Sequence, residues 1–79
     1  MPLPMKQRID EYTRKLGYNI MRIRVNKGIY LPAVSDALDI SVYVLKNIED
    51  GKYPTLKIVT IYRLAKYYQV DMRDFFEGM

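Results

Sequence analysis

Seventy-nine residues, 49% hydrophobic and 28% charged, allow one small domain with a single core and exclude a disordered or fibrous chain. The sequence has no cysteine and no histidine, which removes disulfides, thiolate and imidazole metal ligands, a thiol nucleophile and the commonest general base. Net charge is +4 with an isoelectric point near 9.4, a balance that suits a polyanionic partner without identifying one.

Met5, Ile9, Tyr12, Leu16, Ile20 and Ile23 recur at spacings of 4, 3, 4, 4 and 3, the apolar stripe of an amphipathic helix. Pro2 and Pro4 suit a helix start, and Gly28 after Lys27 suits a helix end. Helical structure is predicted over 5–27, with a break near Gly17, where glycine costs up to about 1 kcal/mol relative to alanine.

Leu31, Val34 and Leu38 repeat at helical spacing, as do Val44, Leu45 and Ile48 after a tight Asp39-Ile40-Ser41 joint. Pro32 opens a helix over 32–38, and Asp39 takes the joint, where it tolerates a positive φ better than most residues. Ser41 caps a helix over 42–49 that Gly51 ends. Two helices of about eight residues joined by three or four have the size and spacing of a helix-turn-helix, residues 31–51.

Lys52, Tyr53, Pro54 and Thr55 form a loop, and Thr55 caps a fourth helix through Tyr68. Its predicted apolar side is Ile58, Val59, Ile61, Tyr62, Ala65 and Tyr68. Asp71 caps a last short helix whose Met72, Phe75 and Phe76 close over the core. Tyr67, Tyr68, Met72, Phe75, Phe76 and Met79 make this end either a dimer patch or the lid of the core. No segment alternates with period two, so the fold class is all-α.

Several function classes are set aside on composition. No apolar run approaches the roughly 18 residues that cross a membrane. The opening MPLPMKQR lacks a signal peptide's apolar region, so a cytoplasmic protein without a membrane partner is expected. The four glycines are scattered at 17, 28, 51 and 78, and no phosphate loop or nucleophile motif appears. No enzyme, catalytic residue, cofactor, metal or small-molecule ligand is expected.

Charge is unevenly spread. Residues 1–27 carry seven cations against Asp10 and Glu11, a net +5. Residues 28–51 carry Lys46 against Asp36, Asp39, Glu49 and Asp50, a net −3, and residues 52–79 are +2.

The run Ile20-x-x-Ile23-Arg24-x-x-Lys27-Gly28-Ile29, then Val34, Leu38, Ile40-Ser41, Leu45, Ile48-Glu49, Gly51-Lys52, Pro54, Leu64-Ala65-Lys66, Val70 and Phe75-Phe76, resembles the Cro/repressor-type (Xre-like) helix-turn-helix family. The resemblance covers about residues 16–76 and leaves 1–15 as an N-terminal extension ahead of a domain at 16–79. It implies a lambda-repressor-like domain of five helices, with 42–49 as the recognition helix and Arg24 paired to Glu49. Three positions depart from the family pattern. Leu31-Pro32 stands where a phosphate-binding glutamine is usual, Ser35 stands at the small position usually held by alanine, and Asp39 replaces the turn glycine. The stretch from Glu49 to Ala65 is one residue longer than usual.

Under that resemblance the base-facing residues are Ser41, Val42, Tyr43, Lys46 and Asn47. Asn47 suits adenine, Lys46 suits guanine or a phosphate, and Val42 suits a thymine methyl. The phosphate candidates are Lys27, Lys52, Tyr53 and Thr55, with Lys46. So few contacts imply a homodimer on a two-fold site in double-stranded DNA. The expected function is sequence-specific DNA binding by a small transcriptional regulator. Two alternatives stay open: a protein-interaction module in a DNA-processing or toxin–antitoxin assembly, favoured by the acidic 28–51 segment, and a single-strand or RNA binder that stacks bases on some of its eight tyrosines.

Overall fold

The computed structural model describes residues 5–53 and 56–79, with residues 5–9 as helical backbone. Four α-helices follow in order, α1 (Met5–Asn26), α2 (Leu31–Leu38), α3 (Val42–Glu49) and α4 (Ile58–Tyr68). A 3-10 helix, Met72–Phe76, closes the chain. No strand occurs among the described residues, and the fold is all-α. The last of the five expected helices is thus a 3-10 helix. Its five residues hang from a capping box between Asp71 and Asp74 and begin with a tight bond from the Asp74 N–H to the Asp71 carbonyl, at 2.9 Å.

α1 is unbroken, contrary to the break expected near Gly17. Packing explains the glycine. A Cβ there would collide with the carbonyl oxygen of Ile48 and lie 2.7 Å from that of Glu49. Gly17 is buried, and its missing side chain lets α1 cross the last turn of α3 at backbone contact. The glycine's cost in helix propensity, about 1 kcal/mol, is accepted for a closer crossing.

All four α-helices stop in the same manner. Each has a left-handed residue just past its end, with the following N–H bonded back to a carbonyl in the last turn. Gly28 (φ 70°) and Gly51 (φ 74°) serve α1 and α3, while Asp39 (φ 54°) and Gln69 (φ 59°) serve α2 and α4. The closing bonds run from Ile29 to Arg24, Ile40 to Ser35, Lys52 to Asn47 and Val70 to Ala65, at 3.0–3.3 Å for the first, second and fourth and 2.9 Å for the third. α2 carries Pro32 in its first turn, as expected. α4 begins at Ile58 behind Lys57, with no side-chain cap; Pro54 and Thr55, the cap expected from sequence, lie outside the described residues.

The core joins Ile20 and Ile23 of α1, Val34 and Leu38 of α2, Leu45 and Ile48 of α3, Ile61, Leu64, Ala65 and Tyr68 of α4, and Phe75. Full burial of each such large side chain contributes about 1.5–3 kcal/mol. Tyr68 and Phe75 meet edge to face at 6.3 Å and are core residues, not a dimer patch. Buried Asn19 ties the 3-10 helix to α1 by donating to the carbonyls of Phe75 (2.8 Å) and Glu77 (2.9 Å).

Five apolar side chains expected on the inner faces of their helices are exposed instead, beyond the half-buried Met72. Tyr12 lies on α1 ahead of Arg14, where Gly51 packs, and is exposed among the described residues. Ile58, Val59 and Tyr62 point away from the core because Ile61, Leu64, Ala65 and Tyr68 already supply the buried face of α4. Phe76 turns outward beside the fully buried Phe75. The side chains of Met5 and Ile9 lie outside the described residues.

Candidate nucleic-acid interface

α3 forms because Ser41 supplies its start and the apolar spacing supplies its anchor. Ser41 sits in extended backbone and its hydroxyl oxygen accepts the Val44 N–H at 3.1 Å. Leu45 and Ile48 are buried, Val44 is half-buried, and these three turn one side of the helix into the domain. Glu49 completes that side. Its carboxylate accepts two bonds from Arg24 of α1, Nε to Oε2 at 2.6 Å and Nη2 to Oε1 at 2.9 Å. The third arm of Arg24, Nη1, donates to the Ile29 carbonyl at 2.7 Å. The guanidinium is therefore fixed on α1, on the α1–α2 connection and on α3 at once.

This pair is largely withdrawn from water, with 12% of the Arg24 side chain and 7% of the Glu49 side chain exposed. The hydrogen bond to Glu49 raises the Arg24 pKa above its ordinary value, against the opposing effect of burial. Tyr68 lies beneath the pair. Burial raises its pKa well above 10.0, with the Glu49 charge adding to the effect, and its hydroxyl is buried without a hydrogen-bond partner among the described residues.

The opposite side of α3 faces solvent. Val42, Tyr43 and Lys46 are exposed, Tyr43 at 76%, and Asn47 is half-buried at the edge. On a 100° helical step, Val42, Lys46, Tyr43 and Asn47 fall on one arc, opposite Leu45 and Ile48. Ser41 is exposed at the start of that arc, with its acceptor oxygen already committed to the cap. The five base-facing candidates therefore share one face of α3, from its cap to its last turn. The chain around α3 is acidic: exposed Asp39 precedes the helix, exposed Asp50 follows it, and Asp36 lies exposed on α2.

The phosphate candidates do not all gather beside it. Tyr53 lines a groove of about 250 Å³ between α3 and α4, on the Val44 and Ile48 side of α3, together with Ile40 and Leu56. Lys52 is exposed just past the end of α3, its N–H bonded to the Asn47 carbonyl. Lys27 is exposed but lines a different groove, together with Val70, Asp74 and Glu77 at the carboxy-terminal side. Thr55 lies outside the described residues.

Two cations outside the sequence-derived candidates, one ahead of α4 and one within it, line the α3–α4 groove. Lys57 and Arg63 line it with Thr60 between them in sequence. Arg63 also donates to the Leu38 carbonyl at 2.5 Å, fixing its head at the end of α2. The signal was the spacing: 57, 60 and 63 form a polar row beside the apolar row of α4.

Among the described residues, no acidic cluster is placed to hold a metal ion, and no helix is long and apolar enough to cross a membrane. No family model, curated protein or solved structure matches the chain. What the arrangement offers is a short helix locked to the domain on one side and presenting an amine, an amide and an aromatic hydroxyl on the other.

Proposed function

We propose that the chain is a Cro/repressor-type (Xre-like) helix-turn-helix protein. In this reading it binds double-stranded DNA in a sequence-specific manner, acts as a homodimeric transcriptional regulator, and has no enzymatic role. The observation that carries the reading is the division of α3. Leu45, Ile48 and Glu49 hold it to the domain, while Tyr43, Lys46 and Asn47 remain free to meet base edges. A helix held in this way fits a major groove, where a bidentate amide or amine contact discriminates bases by about 1–3 kcal/mol.

Phosphate attraction in this reading comes from Lys46, Lys52, Lys57 and Arg63, with Tyr53 as a neutral donor and Lys27 more distant. A second reading has its own observation. Asp39 and Asp50 stand exposed just before and just after α3 in the chain and Asp36 is exposed on α2, an acidic segment that favours a protein-interaction module in a DNA-processing or toxin–antitoxin assembly.

Binding of random-sequence duplex, titrated against salt, separates the two. A DNA-binding protein loses affinity steeply as salt rises. Lys52→Ala and Lys57→Ala should each weaken all duplexes alike and lower the salt slope by about one. Absence of binding at about 50 mM salt, where phosphate attraction is strong, excludes the DNA reading and leaves the interaction module.

A further inference from the structure

Lys57 and Arg63 line the α3–α4 groove together with the apolar side chains Ile40, Val44, Ile48 and Leu56. Among the described residues no acidic side chain lines the groove, and neither cation has an ion-pair partner. Arg63 spends one N–H on the Leu38 carbonyl, which fixes its head. Its other N–H groups have no bonding partner among the described residues. A lining that is mostly apolar, with a few placed polar groups, is the make-up of a small-molecule site. The volume, about 250 Å³, equals that of roughly eight water molecules and suits a ligand smaller than drug size.

We propose that this groove binds a small apolar carboxylate, its charge held by Lys57 and Arg63 and its hydrocarbon body covered by the four apolar side chains. Charge complementarity selects an anion, because two cations without counter-ions attract one and repel a cation. The planar fork of Arg63, already fixed at the end of α2, matches the two oxygens of a carboxylate. The apolar lining selects the body. A bare hydrated anion such as phosphate would leave Ile40, Val44, Ile48 and Leu56 facing water, whereas a hydrocarbon group removes that surface from it. In the DNA-binding reading the same carboxylate competes with phosphates for Lys57 and Arg63, so that a small acid in this groove weakens DNA binding. Only that consequence rests on the reading; the site itself does not.

Titration of the full chain with benzoate, followed by NMR of its methyl groups, tests the site. The signals of Ile40, Val44, Ile48 and Leu56 should shift together and saturate, with a dissociation constant of about 1 mM or lower. Those of Ile58 and Val59, exposed on α4 outside the groove, should stay in place. Benzamide keeps the shape without the charge and inorganic phosphate keeps the charge without the ring; each should bind roughly tenfold more weakly or worse. Lys57→Gln, at an exposed position, should weaken benzoate binding roughly fivefold or more. Lys66→Gln, which removes an exposed cation of α4 that does not line the groove, should leave it unchanged. No saturable shift by about 10 mM benzoate, equal shifts at Ile58 and Val59, or equal binding of benzamide or phosphate overturns the proposal. So does a Lys57→Gln chain that binds benzoate as the wild type does. The samples contain no DNA, so failure here removes the groove as a ligand site and leaves the reading of α3 untouched, and a chain that ignores DNA can still bind benzoate.

Discussion

The two faces of α3 are built by opposite rules. On the inner face every group is committed: Leu45 and Ile48 are packed, Glu49 is held by two arms of Arg24, and the Ile48 and Glu49 carbonyls press against Gly17. On the outer face Val42, Tyr43 and Lys46 stand exposed. Eight residues are too few for a stable isolated helix in water, so α3 owes its shape to the inner face and its chemistry to the outer one. Changes inside should therefore appear as stability, and changes outside as binding.

The largest effect is expected where the inner face is charged. Glu49→Ala leaves Arg24 buried without its partner and should cost about 3–5 kcal/mol, read as a lower midpoint in urea unfolding. Adding Arg24→Ala to that variant should recover part of the loss, because the stranded charge is then gone. If Glu49→Ala unfolds like the wild type, the pair does not anchor α3.

A smaller loss is expected at the helix crossing. Gly17→Ala improves helix propensity yet forces a methyl against two backbone oxygens that have no rotamer to change. The net cost should be about 1–3 kcal/mol, measured by thermal unfolding. A stabilised variant would mean that α1 and α3 do not meet at backbone distance.

The smallest effect depends on pH. Burial keeps the folded-state pKa of Tyr68 above the ordinary 10.0. Below pH 10 both states hold the proton and this group adds no pH dependence. As pH rises through 10 the unfolded chain loses a proton that the folded chain keeps, so stability falls by up to about 1.4 kcal/mol per unit. Tyr68→Phe removes that term, and with it a buried hydroxyl without a bonding partner among the described residues. The variant should be within about 1 kcal/mol of wild type at neutral pH and should gain on it steadily above pH 10. Parallel urea curves across that range would place Tyr68 in contact with water.

The sequence made some of this division readable. Ser41, Asp39, Gly51 and the apolar spacing located α3 to the residue, because caps and periodicity are local signals. The Arg24–Glu49 pair came into view through family resemblance alone, since nothing local links residues 25 positions apart. The role of Gly17 was illegible for the same reason: its constraint comes from α3, across the fold, whereas propensity sees only a weak point in α1. The row Ile58, Val59 and Tyr62 is exposed although its apolar pattern reads as core, because it adjoins the buried strip of α4 and periodicity does not say where a broad apolar strip leaves the core. Lys57 and Arg63 were passed over because their place beside α3 depends on how α4 packs.

The most direct test of the division is selection from random duplex DNA with the wild type and with the Lys46→Ala, Asn47→Ala double variant, both checked for folding. The wild type should enrich a motif with two-fold half-sites. The double variant should keep its thermal midpoint while losing preference at the positions those side chains read, by about 1–3 kcal/mol for each lost bidentate contact. An identical motif from both proteins, or no enrichment by the wild type, would contradict the assignment of base reading to the outer face of α3.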